Sequence, residues 1–282
     1  MLKFAKYISV FLMALAVFCM SFAIYAFYVK RTESVSNMVN GKPLYVLMYH
    51  SILDSDKRAG EYVITPKMFE NDLKYLKENG YETIVTKDLI EYVDKGTELP
   101  EKAVVITFDD GYYNNYSYAY PLLKKYGMKG VLSVIGYYTE QYSKEQTFNN
   151  NYSHVTWKMI KEMSDNGVFE IQNHTYNLHS LKKRKGILKQ KTESDIEYEK
   201  MLKGDIEKTQ KLLELNCGIT PTAFTCPFGA VNEKALGIIK NLGFKVTYGC
   251  EEGINYITRS PECLYELKRY NRTAKLDISE LL

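Results

Sequence analysis

Ala103-Val104-Val105-Ile106-Thr107-Phe108-Asp109-Asp110-Gly111 is the stretch on which the reading of this chain turns. An unbroken β-branched run, with charged Glu101-Lys102 before it and two acids after it, reads as a buried strand. Asp109 and Asp110 then fall at the strand's C-terminal end, where α/β folds place their chemistry, and Gly111 lets the backbone turn sharply. A plain strand end solvated by two aspartates is the ordinary alternative. The rest of the sequence has to decide between them.

Upstream, Leu44–Tyr49 is a second β-type run, ending in Tyr49-His50-Ser51. Thr65-Pro66 opens a helix as N-cap and first helical residue, and Gly80 ends it. Thr83-Ile84-Val85 reads as a small strand, with Thr86 capping the helix that follows. Downstream, Tyr120-Pro121-Leu122-Leu123 leads into a stop at Gly127, and Gly130–Ile135 is a strand. Tyr137–Tyr152 is polar and rich in Tyr and Asn, and reads as a loop or insertion. Thr156 caps a helix through Met163, and Val168–Ile171 is a strand running into Asn173-His174. Lys182–Glu199 reads as a charged connection before a helix from about Lys200 to Leu215. Thr222-Ala223-Phe224 is a strand, Asn232 caps a helix to Leu242-Gly243, and Lys245–Tyr248 and Leu264–Tyr270 are the last strands. This alternation argues parallel βαβ units, closed as a barrel or left as an open sheet. No glycine-rich phosphate loop follows any strand, which weighs against a nucleotide enzyme.

Residues 1–31 stand apart. From Tyr7 to Val29 there is no charged residue, and a helix of that length, at about 1.5 Å per residue, spans a bilayer core. A cleaved signal peptide ending near Ser21-Phe22-Ala23 competes, but the apolar run continues to Val29, so an uncleaved transmembrane anchor is favoured. Bulky Phe18 before Cys19 argues against a lipoprotein site. Lys3 and Lys6 before the span nearly balance Lys30 and Arg31 after it, so charge leaves the orientation open. Residues 32–43 read as a stalk and 44–282 as the folded domain. Without those four cations the remainder carries 33 basic against 34 acidic residues, which excludes the footprint of a nucleic-acid binder. Cys217, Cys226, Cys250 and Cys263 allow two disulfides or none, and no CxxC spacing suggests structural zinc.

The chain has four histidines, His50, His154, His174 and His179. His174 and His179 follow a strand within Asn173-His174-Thr175-Tyr176-Asn177-Leu178-His179, where turn-forming Asn and Thr allow both rings to face one ligand. Taken alone the pair is an ordinary surface or core pair. One carboxylate and two imidazoles make a three-ligand set with an open position, and the second carboxylate remains as a base for a metal-activated water.

With these residues in view, the chain resembles the polysaccharide deacetylase family (carbohydrate esterase family 4, the NodB-homology domain) from about Leu44 to Arg272. Thr107–Gly111 matches its TFDDG motif, Asn173–His179 resembles its histidine motif, and Phe224-Thr225-Cys226-Pro227-Phe228-Gly229 resembles its third motif. The resemblance implies a distorted (β/α)7-type barrel. It makes Asp109 the catalytic base, and has Asp110, His174 and His179 hold a divalent metal, usually zinc. It gives the backbone N–H of Phe228 an oxyanion role, which the flanking Pro227 and Gly229 suit. Two departures stand out. Thr225 and Cys226 occupy the place of the family's arginine, and no histidine follows His179 to act as late acid.

A proton must still reach the leaving amine. His50, in Met48-Tyr49-His50-Ser51, is the candidate, and that motif resembles the branch acting on poly-β-1,6-N-acetylglucosamine; a buried rim histidine is the plainer reading. Arg269 either replaces the missing arginine or is a solvated charge. His154 reads as structural, and Tyr112, Tyr113, Tyr116, Tyr137 and Trp157 as packing residues, with one or two near a sugar. Lys182-Lys183-Arg184-Lys185 reads as a solvated loop, with contact to an anionic wall polymer as the alternative. The implied protein is a membrane-anchored, extracellular N-deacetylase of an N-acetylglucosamine polymer. A sugar-binding pseudoenzyme and a hydrolase of another acetylated substrate are the alternatives.

Overall fold

The computed structural model describes residues 15–27, 29 and 41–282. From residue 42 strands and helices alternate in chain order. They are β1 (Lys42–Tyr49), α1 (Pro66–Glu78), β2 (Glu82–Ile84), α2 (Thr86–Lys95), β3 (Ala103–Phe108), α3 (Tyr120–Tyr126), β4 (Gly130–Val134) and α4 (Gly136–Tyr142). There follow α5 (Trp157–Asp165), β5 (Phe169–Asn173), α6 (Asp195–Cys217), β6 (Ala223–Thr225), α7 (Glu233–Asn241), β7 (Val246–Tyr248), β8 (Asn255–Ile257) and β9 (Tyr270–Asn271).

The central strands run in the order β1, β3, β4, β5, β6, β7, each parallel to the next. Beyond β7, Tyr248 bridges to Leu267, and β9, a few residues further on, pairs with β1, so the sheet curls back toward its first strand. The curl is uneven. The first half of β3 pairs with β2 and only its end pairs with β4, while β8 adds an antiparallel strand outside β1. Parallel strands need both faces covered, and β3 is buried at all six positions. Its side chains divide by parity. Val105 packs with Val46, Val131, Ala223 and Val246, whereas Val104, Ile106 and Phe108 pack under the helices with Phe69, Leu123 and Ile160.

The helix starts show why the local sequence suffices. Thr65, Thr156 and Asn232 each accept a backbone N–H three residues on, at 3.2, 3.2 and 2.9 Å. At α2 the expected cap moves by one residue. Val85 holds the cap position, the Asp88 carboxylate reaches back to its N–H at 2.8 Å, and the Thr86 hydroxyl instead meets Tyr248 at 3.0 Å. Residues 137–152, expected as a loop, begin with α4. α6 starts at Asp195, because Ser194 and Glu197 form a reciprocal capping box that the charged run conceals. The expected strand Leu264–Tyr270 begins at the end of a short 3-10 turn, Pro261–Leu264, and bends at Glu266, with pairing confined to Leu267 and β9.

All five cysteines are free thiols, so the two-disulfide option does not hold. Residues 15–27 are helical, with Phe18, Met20, Phe22, Ile24 and Tyr25 exposed. Among the described residues no helix is long and apolar enough to cross a membrane. Residues 7–14 of the expected span, and 32–40 of the expected stalk, lie outside the described residues. Lys42 and Pro43, also assigned to the stalk, already belong to β1.

Candidate active site

Asp109 and Asp110 end β3 on the rim where β1, β5 and β6 also end. The backbone carries Asp109 on from the strand by its N–H to the Tyr49 carbonyl, 3.0 Å. Asp110 then takes a left-handed conformation, φ 70°, followed by Gly111 at φ 72°. A Cβ on Gly111 would stand 3.0 Å from Val134 Cγ1, so glycine is required there for conformation and for space. The result is a cleft of about 730 Å³ whose lining includes His50, Asp109, Asp110, His174, His179 and Phe228.

Arg269 lies behind this lining, fully buried, and its reading as a solvated charge is overturned. Its two terminal nitrogens donate to the two oxygens of Asp109 at 2.8 Å each, a bidentate pair. Its other donors are met by the Gly249 carbonyl at 2.6 Å and the Thr107 hydroxyl at 3.0 Å, and Thr107 in turn donates to the Leu47 carbonyl. Burial pushes the Asp109 carboxyl up, but the charge and hydrogen bonds of Arg269 outweigh it and hold the group below the usual carboxylate range. An arginine that arrives from the last strand segment thus does for Asp109 what no residue near Thr225 does.

Three ligand-type side chains converge beside that pair. Asp110 Oδ1 is 3.5 Å from His174 Nε2 and 3.3 Å from His179 Nε2. The three ligand atoms lie within 4.8 Å of one another, and Asp110 Oδ1 is buried with no hydrogen-bond partner. His174 Nδ1 meets the Thr225 carbonyl at 2.7 Å. As the donor there, Nδ1 keeps its proton and leaves the Nε2 lone pair facing Asp110, the tautomer a metal ligand needs. An orphaned carboxylate oxygen opposite two imidazole nitrogens fits a divalent cation. Burial opposes charge on Asp110, but His174 and the other imidazoles hold its carboxyl well below the usual range. Burial lowers His179, and the neighbouring His174 adds to it. Burial also works to lower His174, yet its close contact with Asp110 and the negative charges of Asp109 and Asp110 raise it.

His50 follows β1 at the cleft wall, its Nε2 4.0 Å from Asp109 Oδ2 and its Nδ1 buried without a partner. Burial lowers its pKa against the pull of Asp109 and Asp110. Phe228 sits at φ 59°, ψ 18°, in the turn Pro227–Gly229, with its ring 4.4 Å from that of His179. His154 stays out of the cleft, stacked on Tyr138 at 4.4 Å, where burial pulls its pKa down to about 4. Arg184 of the basic run pairs with Glu193 at 2.8 Å.

Sequence reasoning missed the Thr225 carbonyl and the Thr107 hydroxyl that orient His174 and Arg269. A backbone carbonyl leaves no trace in residue type, and Thr107 carries no signal in the sequence beyond its place in the motif. Tyr112, Tyr62 and Glu252 also line the cleft. Tyr112, expected as a packing residue, thus faces the cleft, and nothing in the sequence marks the other two.

A family model for polysaccharide deacetylase matches residues 96–247, a span holding Asp109, Asp110, His174, His179 and Phe228 but neither His50 nor Arg269. A poly-beta-1,6-N-acetyl-D-glucosamine N-deacetylase of Staphylococcus aureus (strain MSSA476) is 31% identical over 199 residues, 70% of this chain and 64% of that protein. The chain spans just under two thirds of the length of the curated relatives it matches. Among solved structures, a de-N-acetylase from Aggregatibacter actinomycetemcomitans superposes with TM-score 0.74 at 26% identity, covering 85% of this chain and 100% of that one. IcaB from Ammonifex degensii superposes with TM-score 0.68 at 25% identity, covering 84% and 94%. The chain belongs to the polysaccharide deacetylase family.

Proposed function

We propose that this protein removes N-acetyl groups from an extracellular N-acetylglucosamine polymer, with Asp110, His174 and His179 holding a divalent cation, zinc by donor type. One observation carries the reading. Among the described residues, the only carboxylate oxygen on the cleft wall that is both buried and unpartnered faces two imidazole nitrogens, beside a second carboxylate that Arg269 keeps ionised. Bound at that set, the cation supplies Lewis acidity toward the acetamide carbonyl and the attacking water.

The chain's own residues do the rest. Asp109, fixed in orientation by Arg269, accepts the proton of the attacking water. His50 receives a proton across the 4.0 Å gap to Asp109, a distance that one bridging water spans, and delivers it to the leaving amine. The Phe228 N–H, at the left-handed turn, serves as a donor for the oxyanion.

The Staphylococcus aureus relative acts, by its name, on poly-β-1,6-N-acetylglucosamine, and we extend that substrate class to this chain. Such a polymer lies outside the cell. We therefore place the catalytic domain outside, with residues 7–29 as the membrane anchor and the exposed apolar helix 15–27 as part of it.

The test is acetate release by the full chain from β-1,6-linked N-acetylglucosamine oligomers, with peptidoglycan fragments and chitin oligomers in parallel. Release should stop with a chelator and return with zinc. Sugar binding without acetate release from any of the three, at full metal occupancy, would overturn the enzymatic reading in favour of a binding protein.

A further inference from the structure

We propose that Asp205, on the outer helix α6, is a positioning residue that sets metal affinity by clamping the loop between His174 and His179. The inference rests on the metal-site reading above and concerns a residue outside all three sequence motifs.

The two histidines are held very differently. His174 directly follows β5, where its own N–H is bonded to the Val134 carbonyl and its ring to the Thr225 carbonyl. His179 lies five residues further along a loop, a quarter exposed, and its ring leans on Phe228. Its place therefore depends on how the intervening peptide groups are fixed, and each N–H from Thr175 to Leu178 can be accounted for. The Thr175 N–H donates to Asn173 Oδ1 at 2.8 Å, and the Thr175 carbonyl accepts from Gly136 N. The Tyr176 carbonyl accepts from Tyr137 N at 2.9 Å, and the Leu178 N–H donates to Thr175 Oγ1 at 3.2 Å. The two remaining N–H groups, of Tyr176 and Asn177, both donate to the one carboxylate of Asp205, at 2.7 and 2.9 Å.

That double contact opposes a strained start to the loop. Thr175 is β-branched and sits at φ 70°, a conformation that persists only where its surroundings impose it. The clamp itself has little slack. Ile206 and Gln210 of α6 also accept from the Asn173 side chain, and a Cβ on Gly136 would meet Thr209 Oγ1 at 2.5 Å. The helix therefore packs against both the loop and the start of α4, and among the described residues Asp205 supplies the only side chain that takes two loop amides. Burial raises the Asp205 carboxyl above its usual range against the pull of the two loop amides, so the clamp rests on its two contacts and their geometry.

The geometry also says which ligand moves. Without Asp205, His174 stays tied to β5 and Thr225, and His179 is the one released. Partners that orient a metal ligand are commonly worth about 10–100-fold in metal affinity.

The experiment measures zinc dissociation constants by competition with a chromophoric chelator, on the full-length protein and its Asp205→Ala, Asp205→Asn and His179→Ala variants, with melting temperatures of the metal-free forms. Asp205→Ala should weaken zinc binding by about 10–100-fold, approaching His179→Ala, while Asp205→Asn, which keeps one acceptor oxygen, should recover part of the loss. A metal-free melting temperature that falls with unchanged zinc affinity would reduce Asp205 to a structural residue and overturn the inference. Failure of the unmutated protein to bind zinc or any comparable divalent ion would instead overturn the metal-site reading, and the inference with it.

Discussion

Replacing Arg269 by Met keeps most of its volume and removes its charge and all its donors, and the structure dictates how both stability and activity respond to pH. The guanidinium is wholly buried and bonded to both oxygens of Asp109, itself 3% exposed. Breaking a buried pair by removing one partner leaves an uncompensated charge and costs about 3–5 kcal/mol. In the unmutated protein the folded pKa of Asp109 lies below its unfolded value. Its contribution is then present above the unfolded pKa and lost as pH falls through the folded one. In Arg269→Met, burial is opposed only by the weaker pull of His174 and His50, and the folded pKa is expected to rise above the unfolded one. The sign reverses, so stability is best at low pH and is lost as pH rises through the new folded pKa. Urea unfolding of both proteins should show the deficit large at pH 8 and much smaller at pH 5. The acid limb of the acetate-release profile should move toward alkaline pH in the same variant, because the base now gives up its proton only at higher pH. A deficit that is the same at both pH values, with an unmoved acid limb, would refute the claim that Arg269 keeps Asp109 ionised.

Other perturbations separate the remaining roles. His50→Ala should lower kcat by about 10²–10⁴-fold while bound zinc is unchanged, and near-normal turnover would move the acid role elsewhere. Zinc at a hundredfold over its dissociation constant should stabilise the metal-free protein by about 2.7 kcal/mol, and identical melting with and without zinc would count against a built site. Gly111→Ala places a Cβ against Val134 at a left-handed position, so it should destabilise by more than about 1 kcal/mol in urea unfolding; a neutral change would show that the turn relaxes.

The elements that were legible in the sequence are those whose signals are local. The β-branched run of β3 and the caps Thr65, Thr156 and Asn232 read directly, because an apolar period and a side chain three residues from its amide lie within one window. α4 was missed because its face is tyrosine and threonine rather than a periodic apolar stripe, and its position is fixed by Thr175 and Tyr176 of a distant loop. The start of α6 was missed although Ser194-x-x-Glu197 was there to read, since the surrounding charge suggested a connector. Arg269 is the instructive case. Its partner lies 160 residues away, so no window could join them. Only a chemical deficit, a base with no cation to hold it, pointed to it.

The same limit explains how two neighbouring aspartates come to divide their work. Along β3 the odd positions, Val105 and Thr107, face the strands' shared interior, and Asp109 continues that parity toward Arg269. Asp110 has the parity of Ile106 and Phe108, which face the helices. A regular strand would have buried its carboxylate among Phe69 and Leu132, where an unpaired charge is not tolerated. The left-handed turn at Asp110, followed by Gly111, swings it to the side of His174 and His179 instead. Aspartate is among the few side chains that enter this region readily. On the proposed mechanism the glycine after the pair therefore matters to catalysis, because without the turn the proposed base and the proposed metal ligand would stand on opposite faces of one strand.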